Sequence, residues 1–409
     1  MHKRYKKNSI LKKILLPMAI LIFAQCGIFY GTVFWSGTIN QLKQNEYDIL
    51  NERVVNRKNY LESEMVLRWS NMDKTPDNIT HEMEAAAGRA GIEAALKHDR
   101  AFPAAALERA AEHVIDIIRR NSVTGAFVIL NDERNTNAGD KTISTHSGIY
   151  IRDLEPDSNS VDNDDLLYEF GPSKITKDLG IPMDTWWQAG IPFLKEDTET
   201  NKFFNTPMER GNMYPDLPIS SLGYWSGIHR MSKSDIDIMT YTVPLISNGV
   251  AYGVLGIEVS TDYIRGFLPE KEISNKKNGA YLLAIETDDK NTFTNVARSG
   301  QEYKKIFGET DVTAFDTFDM HDKVAIYHKD VQHIGDVCAT VQYLKLYSGD
   351  VPFAQNRFAL IGIVEQRDIL SFPNKIQTLA IVAMCLALLI GIAATIIISM
   401  FFARPISAL

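Results

Sequence analysis

Apolar and polar positions divide this chain before any motif is read. From Ile14 to Leu42 there is no Asp, Glu, Lys or Arg, and the apolar heart of that run reaches about Trp35. Ile376 to Ala403 is uncharged and almost wholly apolar in the same way. A helix crosses a bilayer core with about 20 apolar residues, so the pattern predicts two membrane spans, 14–36 and 376–403. Residues 37–375 carry almost all the polar sequence and are expected together on one side of the membrane.

Within that segment the periodicity changes twice. Ile39, Leu42, Leu50, Val54, Leu61 and Met65 recur at steps built of three and four, which predicts one long helix over about 38–71. Thr75-Pro76-Asp77 breaks and restarts the chain, and a second helical region runs to about Asn121 with an interruption near Phe102-Pro103. Strands follow at Val123–Leu130 and Gly148–Arg152. Asp153 to Asp165 reads as a loop, and Lys195 to Gly227 as a long Pro/Gly/Asn-rich excursion of the kind that serves as a lid or binding loop. Asp237–Ile246 and Gly249–Val259 form a hairpin turning at Ser247-Asn248-Gly249. A smaller strand set begins at Ala280–Ile285, continues through 323–328 and 335–346, and ends at Arg357–Glu365. Both sets end alike, GVLGIEVSTDYI at Gly253–Ile264 against LIGIVEQRDIL at Leu360–Leu370. The fold class expected is therefore α+β: a long N-terminal helix plus two lobes with antiparallel sheets, about 72–265 and 266–372, flanked by two spans.

Charge orients the arrangement. Lys3, Arg4, Lys6, Lys7, Lys12 and Lys13 crowd a leader of residues 1–13, and Arg404 follows the second span. Such clusters stay in the cytoplasm, so both termini are expected inside and the 37–375 segment outside. The chain carries −8 overall, and every Asp and Glu lies between Glu46 and Asp368. A segment this acidic repels nucleic acid and anionic lipid surfaces. A cleaved signal peptide is the alternative for the first span, but the apolar run is long and no A-x-A site closes it. Cys26 and Cys385 fall within the spans and Cys338 stands alone outside them, so no disulfide is available to the external segment.

The long first helix, VTGAFVIL at Val123–Leu130, HSGIYIRD at His146–Asp153, the Trp186-Trp187 pair and PLISNGVAYGVLGIEVS at Pro244–Ser260 together resemble the double Cache sensor domains of bacterial receptors. The resemblance covers about 39–372. It implies two PAS-like lobes on a shared helix and a small-molecule ligand in the membrane-distal lobe; no cofactor is expected. Ala403-Arg404-Pro405-Ile406-Ser407-Ala408-Leu409 resembles the opening of a HAMP linker, so residues 404–409 are expected to lead into a cytoplasmic output module, whether histidine kinase, diguanylate cyclase or chemoreceptor.

Candidate ligand-binding residues are Trp186, Trp187, Tyr224, Trp225, Asp235, Asp237, Tyr241 and Glu258. Adjacent Trp186 and Trp187 point oppositely on an extended segment, one toward core and one toward a pocket, with packing of both as the alternative. Tyr224 and Trp225 lie in the long excursion, placed to cover a ligand. Asp235 and Asp237 precede a strand and meet either a cation or solvent. Thr240 and Tyr241 take opposed faces of that strand. Glu258 interrupts an apolar strand, so it is either buried against a partner or aimed into a cavity. Amino-acid-binding members of the resembled family have an Arg two residues before the aromatic pair and an Asp in the last distal strand. Asp184 and Glu258 stand at those positions here, which favours an amine, a polyamine, another cationic molecule or a divalent cation over an α-amino acid and leaves neutral ligands open.

No P-loop, HExxH, GxSxG or dinucleotide glycine pattern is present, and no catalytic residue is assigned. The nine His are scattered; His321, His328 and His333, with Asp322 and Asp330, match no closed metal site. Two function classes remain: a two-pass transmembrane sensor, or a membrane-anchored binding or adhesion module without output. Gly27 and Gly31 in the first span, and Ala383, Ala387 and Gly391 in the second, predict close helix packing in a homodimer, with packing inside one subunit as the alternative.

Overall fold

The computed structural model describes residues 2–32, 37–72, 74–138, 141–158, 160, 162–194, 197–231, 236–274, 279–289, 291–315, 318–321, 324–327, 336–347, 351 and 356–406. The chain opens with α1 (His2–Tyr30) and α2 (Thr38–Ser63), which ends in a π-helical turn over Glu64–Trp69. Then come α3 (Thr75–Ala87), α4 (Ile92–His98) and α5 (Phe102–Asn121). Strands β1 (Gly125–Leu130), β2 (Arg134–Ala138), β3 (Lys141–His146), β4 (Gly148–Asp153) and β5 (Leu166–Phe170) lead to α6 (Lys174–Leu179). After it come β6 (Met183–Gln188), β7 (Ile191–Leu194), α7 (Lys202–Met213), α8 (Ile219–Leu222) and β8 (Tyr224–Trp225). The hairpin β9 (Ile238–Ser247) and β10 (Val250–Ser260) is followed by α9 (Thr261–Gly266) and α10 (Glu270–Ile273). A second strand set begins with β11 (Gly279–Glu286), β12 (Thr292–Ser299), α11 (Gln301–Phe307) and β13 (Val312–Ala314). It continues with β14 (Phe318–His321), β15 (Val324–Tyr327), β16 (Val337–Tyr343) and β17 (Phe358–Glu365), and the chain closes with α12 (Gln366–Ile369) and α13 (Ser371–Ile406).

The chain divides into two compact units, one of Met1–Glu52, Phe318–Thr340 and Val364–Leu409, the other of Arg53–Thr317 and Val341–Ile363. In the first unit, β15 pairs antiparallel with β14 and with residues 337–339 of β16. Helices α1 and α13 pack against each other. A Cβ placed on Gly391 would lie 3.1 Å from Ile22 Cγ2, and Thr395 and Ser399, one and two turns on, are buried on the same side. Ala383 and Ala387 are exposed. The stripe read as a contact between copies is thus split, with Gly391 turned to α1 of its own chain. Ser371–Phe401, 31 residues, is long and apolar enough to cross a membrane. Of the expected first span, residues 33–36 lie outside the described set, and its described apolar part is Leu15–Tyr30, 16 residues and short of the ~20 a straight crossing needs.

The second unit holds a seven-stranded sheet in the order β6-β5-β4-β1-β10-β9-β8, antiparallel except for the edge pair β5–β6. Its central strands are apolar on both sides because both faces are covered. Leu107, Ala110, Val114, Ile117 and Ile118 of α5 are buried, and α5 packs on β1 and β4. The opposite face carries Phe127, Ile129, Tyr150, Phe170 and Val254 in one cluster with Phe203, Phe204 and Met208 of α7. The β9–β10 turn forms at Asn248 and Gly249, both with positive φ (52° and 78°), as the Asn-Gly pair predicts. A three-stranded sheet, β2-β3-β7, is separate. In the second strand set of this unit the order is β13-β12-β11-β17.

Two expectations change. The excursion over 195–227 contains α7, whose Phe203, Phe204, Pro207, Met208 and Gly211 are buried at helical spacing. Its Pro, Asn and Gly content hid that periodicity. The interruption near Phe102-Pro103 is a beginning: α5 starts at Phe102 with Pro103 in its first turn, where a missing N–H leaves no bond unmade.

Candidate functional site

Register places the site. Glu258 of β10 pairs with Gly125 of β1 on one side and Thr240 of β9 on the other, and Gly125 pairs in turn with Arg152 of β4. Directly paired residues project to the same face, so Thr240, Glu258, Gly125 and Arg152 form one row across four strands. Gly125 is the gap that lets the charged side chains meet. A Cβ there would sit 2.9 Å from the Ile151 carbonyl oxygen and 3.0 Å from Glu258 Oε2.

Glu258 is fully buried. Its carboxylate accepts from Thr124 Oγ1 at 3.0 Å, from Arg152 Nε at 3.4 Å and from the Tyr150 hydroxyl. Arg152 also reaches Glu169 at 3.2 Å and lies over the Tyr150 ring, 5.2 Å from its centroid. Two carboxylates therefore share one guanidinium in the interior. On the α5 side of the sheet, Arg119 binds Asp153 at 3.0 Å and Asp165 at 2.5 Å. That hydrogen bonding holds the Asp165 carboxyl below its usual range, whereas burial pushes Asp153 up.

At the other end of the row, Thr240 donates from its backbone N–H (2.9 Å) and its hydroxyl (3.1 Å) to Ser226 Oγ, which donates to the Gly227 carbonyl at 2.8 Å. His229 Nδ1 lies 3.2 Å from both Ser226 Oγ and that carbonyl. A carbonyl only accepts, so the hydrogen-bond network assigns the proton to Nδ1 and leaves Nε2 with a bare lone pair. Nε2 is buried and has no hydrogen-bond partner among the described residues. The ring stacks on Phe203 at 4.6 Å, Phe203 meets Phe127 edge-on at 5.7 Å, and Phe127 meets Tyr150 edge-on at 6.2 Å. His229, Phe203, Phe127, Tyr150, Glu258 and Thr240 thus follow one another around one face of the sheet. Burial lowers the imidazole pKa to about 4, so His229 is neutral near pH 7.

The candidates read from sequence are scattered around this face. Trp186 lies on edge strand β6 and is 74% exposed. Trp187 is half-buried and donates through Nε1 to the Gly171 carbonyl at 3.1 Å. Tyr224 and Trp225 are buried in the short edge strand β8. Trp225 pairs with Tyr241, and Tyr241 with Ile257, on the sheet face opposite Glu258. The Trp225 and Tyr241 rings are 5.1 Å apart, and burial pushes the Tyr241 phenol up to about 12. Asp237 is paired with Arg230 at 2.6 Å, both partly exposed. Asp235 lies outside the described residues, as do Asp322, His328, Asp330 and His333. No group of three or more His, Cys, Asp or Glu is placed to hold a metal among the described residues. Arg152, Tyr150, Ser226 and His229 were not singled out as ligand contacts from sequence, because only the strand register reveals that they share a face with Glu258.

No protein-family profile matches the chain, and no curated protein matches it by sequence. Among solved structures, it is similar to the extracellular domain of mmHK1S-Z3, provisionally a histidine kinase, with 12% identity, 82% of this chain and 98% of that chain covered, and a TM-score of 0.41. It is also similar to the ligand-binding domain of the Campylobacter jejuni chemoreceptor Tlp3, solved with L-norvaline, with 9% identity, coverage of 81% and 93%, and a TM-score of 0.37. A third is the ligand-binding domain of the Pseudomonas aeruginosa PAO1 chemoreceptor PctB, solved with L-Arg, with 10% identity, coverage of 80% and 96%, and a TM-score of 0.35. The first of these is an extracellular domain and the other two are ligand-binding domains of chemoreceptors.

Proposed function

We propose that this chain is the sensor portion of a two-pass membrane receptor of the double Cache kind, which binds a small donor-rich or cationic molecule. The observation that carries the reading is the buried, partnerless Nε2 of His229 on the face that also holds Glu258. A buried polar atom without a partner calls for a water or a ligand, and a bare lone pair calls for a donor. An ammonium or hydroxyl group meets that need. In this reading the β1–β10 sheet is the membrane-distal lobe. α1 and α13 are the spans, both termini are cytoplasmic, and residues beyond 404 lead through a HAMP linker to an output module, in a homodimer.

The test is a thermal-shift screen of the full chain in lipid nanodiscs against putrescine, spermidine, choline, L-lysine and neutral polyols. A binder at 100-fold saturation adds about 2.7 kcal/mol of stability. His229→Phe and Glu258→Gln are expected to remove the shift while the circular dichroism stays unchanged. A panel without any stabilising donor compound, or a shift that survives both substitutions, overturns the reading.

A further inference from the structure

Strand β8 is an edge strand, yet its outward backbone groups are not left to solvent. Trp225 pairs with Tyr241, while the flanking bond to β9 runs from the Ser226 N–H to the Thr240 carbonyl at 2.9 Å. The Trp225 N–H instead donates to Tyr347 Oη at 2.9 Å, and Asn356 Nδ2 donates to the Trp225 carbonyl at 3.2 Å and to Tyr224 Oη at 3.3 Å. Two side chains thus do for β8 what a further strand would do.

The two side chains come from a telling place. Tyr347 follows β16 by four residues, and Asn356 precedes β17 by two. The next residue, Arg357, is fixed to β11: its carbonyl accepts from the Glu286 N–H at 2.9 Å and its guanidinium pairs with the Glu286 carboxylate at 2.5 Å. Asn356 therefore has little freedom to move without β17. On the other side of the same peptide stands Ser226, whose hydroxyl ties Thr240 to His229. Trp225 lies between the two sets of bonds. Its indole is fully buried, so the residue shifts as a unit with its backbone.

We propose that Tyr347 and Asn356 form a latch that reports the state of the Glu258–His229 face to β17, the strand that runs through α12 into the membrane-crossing helix α13. The latch rests on the ligand reading above for its physiological trigger, but its mechanical part does not. A displacement of Ser226 or His229 moves the Trp225 peptide, the Trp225 peptide pulls on both latch bonds, and Asn356 carries the shift into the first residues of β17. Tyr347 and Asn356 are positioning residues, since neither belongs to the His229–Glu258 row.

The experiment needs no ligand. Hydrogen exchange of the full chain in nanodiscs is followed at the Phe358–Ile363 amides, with Thr240→Val or Glu258→Gln as the perturbation on the far side. Thr240→Val removes one of the two bonds by which Thr240 holds Ser226 Oγ, and β17 exchange is expected to rise about fivefold, the equivalent of one net hydrogen bond of about 1 kcal/mol. In a Tyr347→Phe or an Asn356→Ala background, the same perturbation is expected to leave β17 exchange unchanged while still raising exchange in β9. Tyr347→Phe keeps the ring and its packing, and Asn356→Ala serves as the independent second variant. A β17 that ignores both perturbations, or one that responds equally with the latch removed, overturns the proposal. A failed amine screen leaves this result untouched, so the two readings fail separately.

Discussion

The two strand sets of the second unit share a plan and differ in what fills it. In each, the first strand lies between the second and the last of its main strands: β1 between β4 and β10, and β11 between β12 and β17. Across the first set runs the polar row Thr240, Glu258, Gly125 and Arg152. The corresponding centre of the second set is apolar, with Leu282, Leu283, Leu360, Ile361 and Ile363 fully buried. Gly362 admits α2 so closely that a Cβ there would lie 2.2 Å from Val54 Cγ2. Buried ion pairs are no more stabilising than a well-packed apolar row and are costly to leave half-made. The first set thus carries its charged row across the centre of the sheet, whereas the second packs an apolar centre against α2 and keeps a buried polar group, Asn295, Tyr303 and Thr313, at β12, α11 and β13.

The largest test of that contrast removes the shared cation. Arg152→Met removes the guanidinium that binds both Glu258 and Glu169, and breaking such a buried group costs about 3–5 kcal/mol. Native-state hydrogen exchange is expected to show the loss in β1, β4 and β10 and to spare β11 and β12. An equal loss in both sets would mean that the two do not differ as described.

Next in size is pH. His229 titrates at about 4 in the folded chain because burial disfavours its charged form, against an unfolded value of about 6.5. Between those values the unfolded chain holds a proton that the folded chain lacks, so this residue's contribution is complete above pH 6.5 and is lost as pH falls toward 4. The shift corresponds to about 3 kcal/mol. His229→Gln is expected to flatten that part of the stability profile relative to wild type in chemical denaturation at pH 4 to 7. Matching profiles for the two proteins would remove His229 from the buried face.

The second set is probed by Gly362→Ala. The new methyl meets Val54 Cγ2 and, at 2.7 Å, Ile273 Cδ1, and overpacking of this kind costs about 1–3 kcal/mol. The expected loss appears in β11 and β17, while the His229 pH profile keeps its shape. A changed profile would show that the two strand sets are not separable in this way.

Much of the fold was legible because it rests on local patterns. The α2 periodicity, the Asn248-Gly249 turn, the Ala-rich α5 and the apolar run of α13 each follow from spacing within one segment. Helix α7 was not legible, because Pro207, Asn205 and Gly211 imitate a loop while tertiary packing of Phe203 and Met208 makes a helix. Of the candidate site, the sequence points most directly to Glu258, whose charge stands out in an apolar strand, and it shows Thr240 only as facing away from Tyr241. Tyr241 was one residue out of phase: it shares β9 with Thr240, but a period of two sends it to the other face. Arg152, Ser226 and His229 lie 106, 32 and 29 residues from Glu258 in sequence and reach its face only through strand register and the Thr240–Ser226 bond, which no local pattern encodes.

The smallest expected effect concerns the residue that closes the first set. Ser260 ends β10 with extended dihedrals (φ −68°, ψ 148°), and its Oγ accepts from the Tyr263 N–H at 3.2 Å, capping α9. Its own N–H donates to Thr124 Oγ1 at 2.8 Å, the same hydroxyl that binds the Glu258 carboxylate. At the matching junction Glu365 precedes α12 with similar dihedrals (φ −59°, ψ 131°) but makes no side-chain cap bond. Loss of a Ser cap costs about 1 kcal/mol, and Asp caps as well as Ser does. Ser260→Ala is therefore expected to raise exchange at the Tyr263 and Ile264 amides and to lower stability by about that amount, whereas Ser260→Asp retains both. Because the substitution leaves the backbone N–H in place, the Thr124–Glu258 bond persists and the amine-dependent thermal shift is expected to stay. A lost shift in Ser260→Ala, restored in Ser260→Asp, would instead make the cap part of the polar row, and the boundary of the site would move from β10 into α9.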